Sequence, residues 1–191
     1  MAATDPQKEK EIENFVIASQ RGDSEAFGKL YDIFVDPLYR YIYYRVGAGE
    51  AEDLTELVFL KSWENIKQYR TRERSFSSWI FRIAHNVVVD FYRSQRPQDE
   101  LSENIIDYRE EADSQTLANR RFDNEVLGKA MLELKDRYRQ IIILKFINDL
   151  TNEEIGYITG RSQAALRILQ FRALRKLRRI LERMGVSENN L

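Results

Sequence analysis

Leu150-Thr151-Asn152-Glu153-Glu154-Ile155, then Gly160-Arg161-Ser162, then Ala165-Leu166-Arg167-Ile168-Leu169-Gln170-Phe171-Arg172 is the stretch that decides how this chain reads. Thr151 with Glu154 three residues on is a capping box, in which the first and last residues of a helical turn satisfy each other's backbone donors. Gly160 suits the left-handed position that ends a helix, and Ser162 suits the N-cap of the next. On that next helix Leu166, Leu169, Ala173 and Leu177 recur at spacings of three and four. Gln163, Arg167, Ile168, Phe171, Arg172 and Arg175 fall on or beside the opposite face. A capped helix, a tight turn and a long basic helix are the layout of a helix-turn-helix, whose second helix enters a DNA major groove. Arg can pair there with guanine edges or phosphates, and Ile168 can meet thymine methyls. Arg175, Lys176, Arg178 and Arg179 would follow the backbone. The plainer alternative is a basic amphipathic helix that binds a protein or faces solvent.

Outside this motif, the charge distribution carries the next signal. The 191 residues sum to a net charge of −1. Yet residues 61–96 hold eight Lys or Arg against three acids, residues 97–116 seven acids against one Arg, and residues 161–184 eight basic residues against one acid. Two basic blocks flanking an acidic one suggest two surfaces for a polyanion, with solvated helix faces as the bland reading. Cysteine is absent, so a thiolate zinc site and a cysteine nucleophile are excluded, and His85, the single histidine, lies in the middle of a strongly helical stretch and is read as structural or DNA-proximal rather than catalytic. No glycine-rich phosphate loop is present. Carboxylate pairs such as Glu153-Glu154 are explained by capping. The expectation is a protein that is not an enzyme and needs no metal or cofactor. No apolar run is long enough to span a bilayer and the N-terminus lacks a signal-peptide core, so a cytoplasmic location without membrane insertion is expected.

The rest of the chain reads as helices. Periodicity predicts them over 11–20, 26–46, 51–69 and 76–93, with Pro37 expected to kink or break the second near Asp36. Gly47-Ala48-Gly49 reads as a loop. Leu54, Leu57, Val58, Trp63 and Ile66 are expected to face inward from the third helix. Phe76, Trp79, Ile80, Ile83, Ala84 and Val87 do so from the fourth. Residues 97–121 are polar, acidic and aperiodic, and read as a flexible linker. A second helical block starts near Phe122. Within it, 138–147 is β-branched enough for a buried strand, but its helical neighbours favour helix. The fold class is therefore all-α: two helical domains joined by a flexible acidic linker, at 10–96, 97–121 and 122–184, the C-terminal one with the helix-turn-helix.

Asp53-Leu54, Val58-Phe59-Leu60, Trp63, the run Phe76-Ser77-Ser78-Trp79-Ile80, the run Arg82-Ile83-Ala84-His85-Asn86, and Asp90 stand in an order that resembles region 2 of bacterial RNA polymerase sigma factors of the extracytoplasmic-function type. The block 134–177 is similar to region 4 of the same group. The resemblance implies a factor that binds core RNA polymerase and directs it to promoters. On that resemblance Asp53, Glu56, Phe59 and Leu60 match the polymerase-docking helix. Residues 69–75 and 76–93 match the parts that capture the −10 strand, with Arg70, Arg72, Arg74, Asn86, Arg93 and Arg96 as candidates, since unstacked bases and their phosphates need amide, aromatic and Arg partners. Trp63, Trp79 and Phe76 are read as core rather than stacking platforms. Gln163, Arg167, Ile168, Phe171, Arg172 and Arg175 would read the −35 duplex. The resemblance also implies an anti-sigma factor as a partner. The chain departs from the pattern at Leu57, where an acid is frequent, and at Ile168-Leu169-Gln170. The rival reading is a stand-alone helix-turn-helix regulator with an unrelated helical domain; a pure protein-interaction module is a third.

Overall fold

The computed structural model describes residues 6–70, 74–95 and 125–186, and every regular element among them is helical. Helices α1 (Pro6–Gln20), α2 (Ser24–Val46), α3 (Ala48–Asn65) and α4 (Phe76–Ser94) form the first half, with a 3₁₀ turn at Ile66–Gln68. Helices α5 (Glu125–Leu132), α6 (Asp136–Ile142), α7 (Asn152–Thr159) and α8 (Gln163–Arg183) form the second. The expected linker at 97–121, together with Arg72 and Arg96, lies outside the described residues.

Four of the eight helix starts among the described residues have a local cause in a side-chain cap. Asp23 accepts from the Ala26 N–H at 3.0 Å, Ser75 from Ser78 at 3.2 Å and Ser162 from Ala165 at 3.3 Å. The capping box at Thr151 and Glu154 forms in both directions. Gly160 ends α7 in the left-handed region at φ 70°.

One local expectation changes, and one of two alternatives at Pro37 is ruled out. The loop at 47–49 shrinks to Gly47, whose φ of 91° lets α2 end and α3 begin across one residue. Pro37 does not break α2, which continues through it. The missing N–H and ring clash cost about 3 kcal/mol. Phe34, Leu38, Tyr41 and Ile42 are all buried on both sides of the proline. At about 1.5–3 kcal/mol each, their burial outweighs that penalty. Helix also wins over strand at 138–147, with a π turn at Ile143–Ile147 closed by Asn148 N–H to Ile143 O at 2.9 Å.

The first half packs as α1 and α3 against α2, with α4 against α3 and α2; the second packs α5, α6 and α7 against α8. The halves also meet each other, α2 on α6 and α4 on α7. One expected core face is rotated. Leu57 and Trp63 are each 37% exposed, while Ala51, Leu54, Thr55, Val58, Phe59 and Ser62 are buried. Thr55 and Ser62 can sit inside because each hydroxyl donates to a carbonyl one turn back, Ala51 at 2.6 Å and Val58 at 2.7 Å.

Candidate nucleic-acid interface

Helix α8 presents its expected face. Leu166, Ala173, Leu177 and Ile180 are buried on one side, with Leu169 partly so. Gln163, Arg167, Ile168, Phe171, Arg172 and Arg175 are all exposed, Phe171 at 67%. Gln170 donates to Asn152 Oδ1 at 2.6 Å, which ties α8 to the start of α7. Arg172, Arg175, Lys176 and Arg179 line a shallow basic depression with Tyr138. Such a face offers Arg donors and apolar groups to a duplex groove together.

A second surface lies on α3. Asp53 and Glu56 are exposed and Leu60 is 55% exposed, next to Leu57, Trp63 and, from α2, Tyr31 at 42%. Phe59, expected among the contacting residues, is only 5% exposed. Its ring is instead the floor of the patch, 4.5 Å from Tyr31 and 6.4 Å from Phe27, whose ring in turn packs on Trp63 at 5.0 Å. The rotation of α3 explains this: the turn that buries Phe59 lifts Leu57 and Trp63 out. An exposed apolar cluster with an acidic edge suits a basic, partly apolar partner.

The third surface, α4 with the described residues just before it, is engaged at Arg74 and exposed at Arg70, Asn86 and Arg93. Phe76 and Trp79 belong to an aromatic cluster with Tyr69, at centroid distances of 5.3–5.5 Å, so neither is a free platform. The Tyr69 hydroxyl donates to Arg74 O at 2.6 Å, and Gln20 donates to Ile66 O at 2.9 Å and Tyr69 O at 2.8 Å, which anchors the entry to the basic loop. Arg70, Asn86 and Arg93 are exposed, Arg93 loosely paired with Asp90 at 3.8 Å. Arg74 instead lies over the Tyr157 ring, 3.8 Å from its centre. Arg82 donates to Tyr157 O at 3.1 Å and Ile158 O at 2.5 Å, and Ser75 Oγ donates to the Glu154 carboxylate.

Beneath these contacts the halves share a buried polar cluster. Arg45, 7% exposed, grips Asp136 with two parallel bonds of 2.9 and 3.0 Å and donates to the Tyr41 hydroxyl at 2.9 Å. Gln140 donates to the same hydroxyl at 2.9 Å and to His85 Nδ1 at 2.8 Å. Burial would raise the Asp136 carboxyl, but Arg45 outweighs it and holds the group below its ordinary value. Burial first, then Arg45 and Arg82, push His85 down to about 3. His85 is therefore a neutral acceptor in the fold. Tyr92 donates to Arg45 O and is structural too. Sequence reasoning missed Arg45, Gln140, Glu154 and Tyr157 in this role. Arg45, next to the apolar run Tyr41-Ile42-Tyr43-Tyr44, was the one visible signal.

Among the described residues no helix is long and apolar enough to cross a membrane, and no group of three or more candidate ligands could hold a metal ion. The family model described as Sigma-70 region 2 matches residues 30–98, and that described as Sigma-70, region 4 matches residues 130–179. The ECF RNA polymerase sigma factor BldN of Streptomyces coelicolor is 35% identical over 85% of this chain, which spans 63% of that relative's length. The ECF RNA polymerase sigma factor SigW of Bacillus subtilis is 32% identical over 73% of this chain and 80% of its own length. Among solved structures, CnrH in complex with the cytosolic domain of CnrY shares the fold, with a TM-score of 0.66 and 20% identity over 90% of this chain and 97% of that one.

Proposed function

Because the chain belongs to the sigma-70 family, in its ECF branch, we propose that it binds core RNA polymerase and directs it to specific promoters. It acts by binding rather than by catalysis, in the cytoplasm, with core polymerase and promoter DNA as partners and an anti-sigma factor as its off switch. The functional division is 10–96, 97–121 and 122–184. The observation that carries the reading is the pairing of a region 2 unit and a region 4 unit in one chain, the second with a bare basic helix.

The division of labour follows from the surfaces. Asp53, Glu56 and Leu60, with Tyr31, Leu57 and Trp63 beside them, dock on polymerase, and Phe59 supports them from below. The apolar part carries affinity, and the acidic edge steers and orients. Gln163, Arg167, Ile168, Phe171, Arg172 and Arg175 read the −35 duplex. Arg70, Arg72, Arg74, Asn86, Arg93 and Arg96 hold the −10 strand, Arg groups meeting phosphates and Asn86 a base edge. Unstacking bases costs a few kcal/mol, which strand capture on region 2 offsets while polymerase keeps the duplex in place.

Run-off transcription with core polymerase, with and without the chain, tests this. Promoter-specific initiation that depends on the chain is the expected result. Tight duplex binding without polymerase and no initiation at any selected promoter would establish the stand-alone regulator instead. Absence of any salt-dependent DNA association would leave a protein-interaction module.

A further inference from the structure

The chain departs from the family pattern at Ile168-Leu169-Gln170, and these three residues have different surroundings. Ile168 is exposed, and Leu169 packs against the core. Gln170 is partly buried, and its amide nitrogen donates to Asn152 Oδ1 at 2.6 Å. A Gln on a helix in a major groove can pair both ends of its amide with adenine. Here the nitrogen is committed to another helix, so Gln170 does not stand among the residues that face solvent ready to read bases.

The side chains that α7 and α8 bury, Ile155, Ile158, Leu166, Ala173, Leu177 and Ile180, are all apolar. Apolar burial is non-directional, so it holds helices together without fixing how far one turns about its own axis. A polar pair between helices can fix such a register. At the turn, Gly156 lets the start of α8 come close. A Cβ there would lie 3.1 Å from Arg161 O, 3.6 Å from Gln163 Nε2 and 3.7 Å from Leu166 Cδ1. The Gln170–Asn152 bond acts about two turns further along α8. Two separated points of contact fix both the tilt and the rotation of the helix. Rotating α8 by about 10° shifts a side-chain tip about 6 Å from its axis by about 1 Å, enough to take an Arg out of hydrogen-bond geometry with a base edge.

We propose that Gln170, through Asn152, is a positioning residue for sequence readout. It holds α8 at the rotation at which Gln163, Arg167 and Ile168 meet their base pairs, and it touches no base itself. A wrong rotation leaves phosphate contacts largely intact, because long basic side chains can follow the backbone. It misplaces the base contacts together. Loss of the tie therefore flattens the preference at every base pair, whereas loss of a base reader relaxes one position. The inference rests on the assignment of α8 to the −35 duplex.

The test uses the full chain bound to core polymerase and a pool of promoter duplexes randomised across the −35 element. Bound duplexes are sequenced, and a duplex of unrelated sequence gives the non-specific affinity. Wild type is compared with Gln170→Ala, Asn152→Ala, the double variant, and Asn152→Asp, which keeps an oxygen for Gln170 to donate to. Thermal melting checks that each is folded, and the two Asn152 variants decide if Gln170→Ala does not fold. Both alanine variants should lower the ratio of specific to non-specific affinity about tenfold, roughly the worth of one base pair, spread over the whole element. The double variant should lose no more than either single one, and Asn152→Asp should keep the wild-type ratio. Relaxation at one base pair in Gln170→Ala alone makes Gln170 a base reader and overturns the inference. An unchanged profile in all folded variants, with wild type selective at the −35 element, overturns it too and leaves the function standing. A wild type without preference there overturns the assignment of α8 and the inference with it.

Discussion

On α8 the six residues expected to meet duplex DNA all stand in solvent, whereas Arg74 and Ser75 just before α4, and Arg82 on it, are held by the ring, carboxylate and carbonyls of another helix. The same contrast appears in two ion pairs of nearly equal length. Arg45–Asp136 at 2.9 Å has side chains 4% and 23% exposed, while Arg178–Glu182 at 2.8 Å has side chains 61% and 51% exposed. Distance alone does not rank them. Water screens the α8 pair, while in the seam pair Arg45 is buried, so loss of its partner strands a charge. A surface read one helix at a time is therefore safe on α8 and misleading at Arg74, just before α4.

The sharpest way to break the comparison is to remove one partner of each pair. Asp136→Ala leaves the Arg45 guanidinium buried and unpaired, and should cost about 3–5 kcal/mol in urea denaturation. A loss under about 1 kcal/mol would show that the seam is open to water.

Acidification should separate the two surfaces next. His85 titrates at about 3 in the fold, against about 6.5 when unfolded. Its depressed value means that its contribution is whole above about pH 6.5 and is lost progressively as pH falls towards 3. Arg45, Arg82 and Arg161 face it with Asp136 and Tyr41, and Asp136, also lowered, adds its own loss below the ordinary carboxylate range. The urea midpoint should fall between about pH 7 and pH 5, and His85→Asn should flatten that slope. An unchanged slope would remove His85 from the buried cluster.

On the bare surface, Arg167→Ala should weaken −35 duplex binding by about 1–3 kcal/mol and leave polymerase docking intact. Equal loss of both would mean that the two surfaces are not independent. Thr151→Ala should cost about 1 kcal/mol of stability, measured by thermal melting, because it removes the N-cap of α7. Arg178→Ala, the exposed counterpart of the seam variant, should cost no more than about 0.5 kcal/mol.

Much of the fold was legible because its signals are local. The caps at Thr151 and Ser162, the left-handed Gly160 and the apolar spacing of α4 and α8 each lie within a few residues of what they decide. At Pro37 the sequence left a kink and a break both open, because its penalty is local while the burial that keeps α2 continuous comes from packing. Leu57 and Trp63 misled because apolar identity does not say which way a helix turns. Thr55 and Ser62, small and bonded to their own backbone, took the interior side of α3. The polar cluster of Arg45, Gln140 and His85 left almost no trace, since its members come from three distant helices.

By itself the sequence determined a helical chain with a helix-turn-helix at one end, the residues on its solvent face, and the two-block order that points to a sigma factor. Periodicity and capping act over one turn, so they are written in the order of residues. Only the tertiary structure decided which side of α3 is bare, that α7 lies on Arg74 and Arg82, and that Arg45 and Asp136 meet. Those outcomes depend on burial and charge pairing between segments as many as 99 residues apart, where desolvation outweighs local preference.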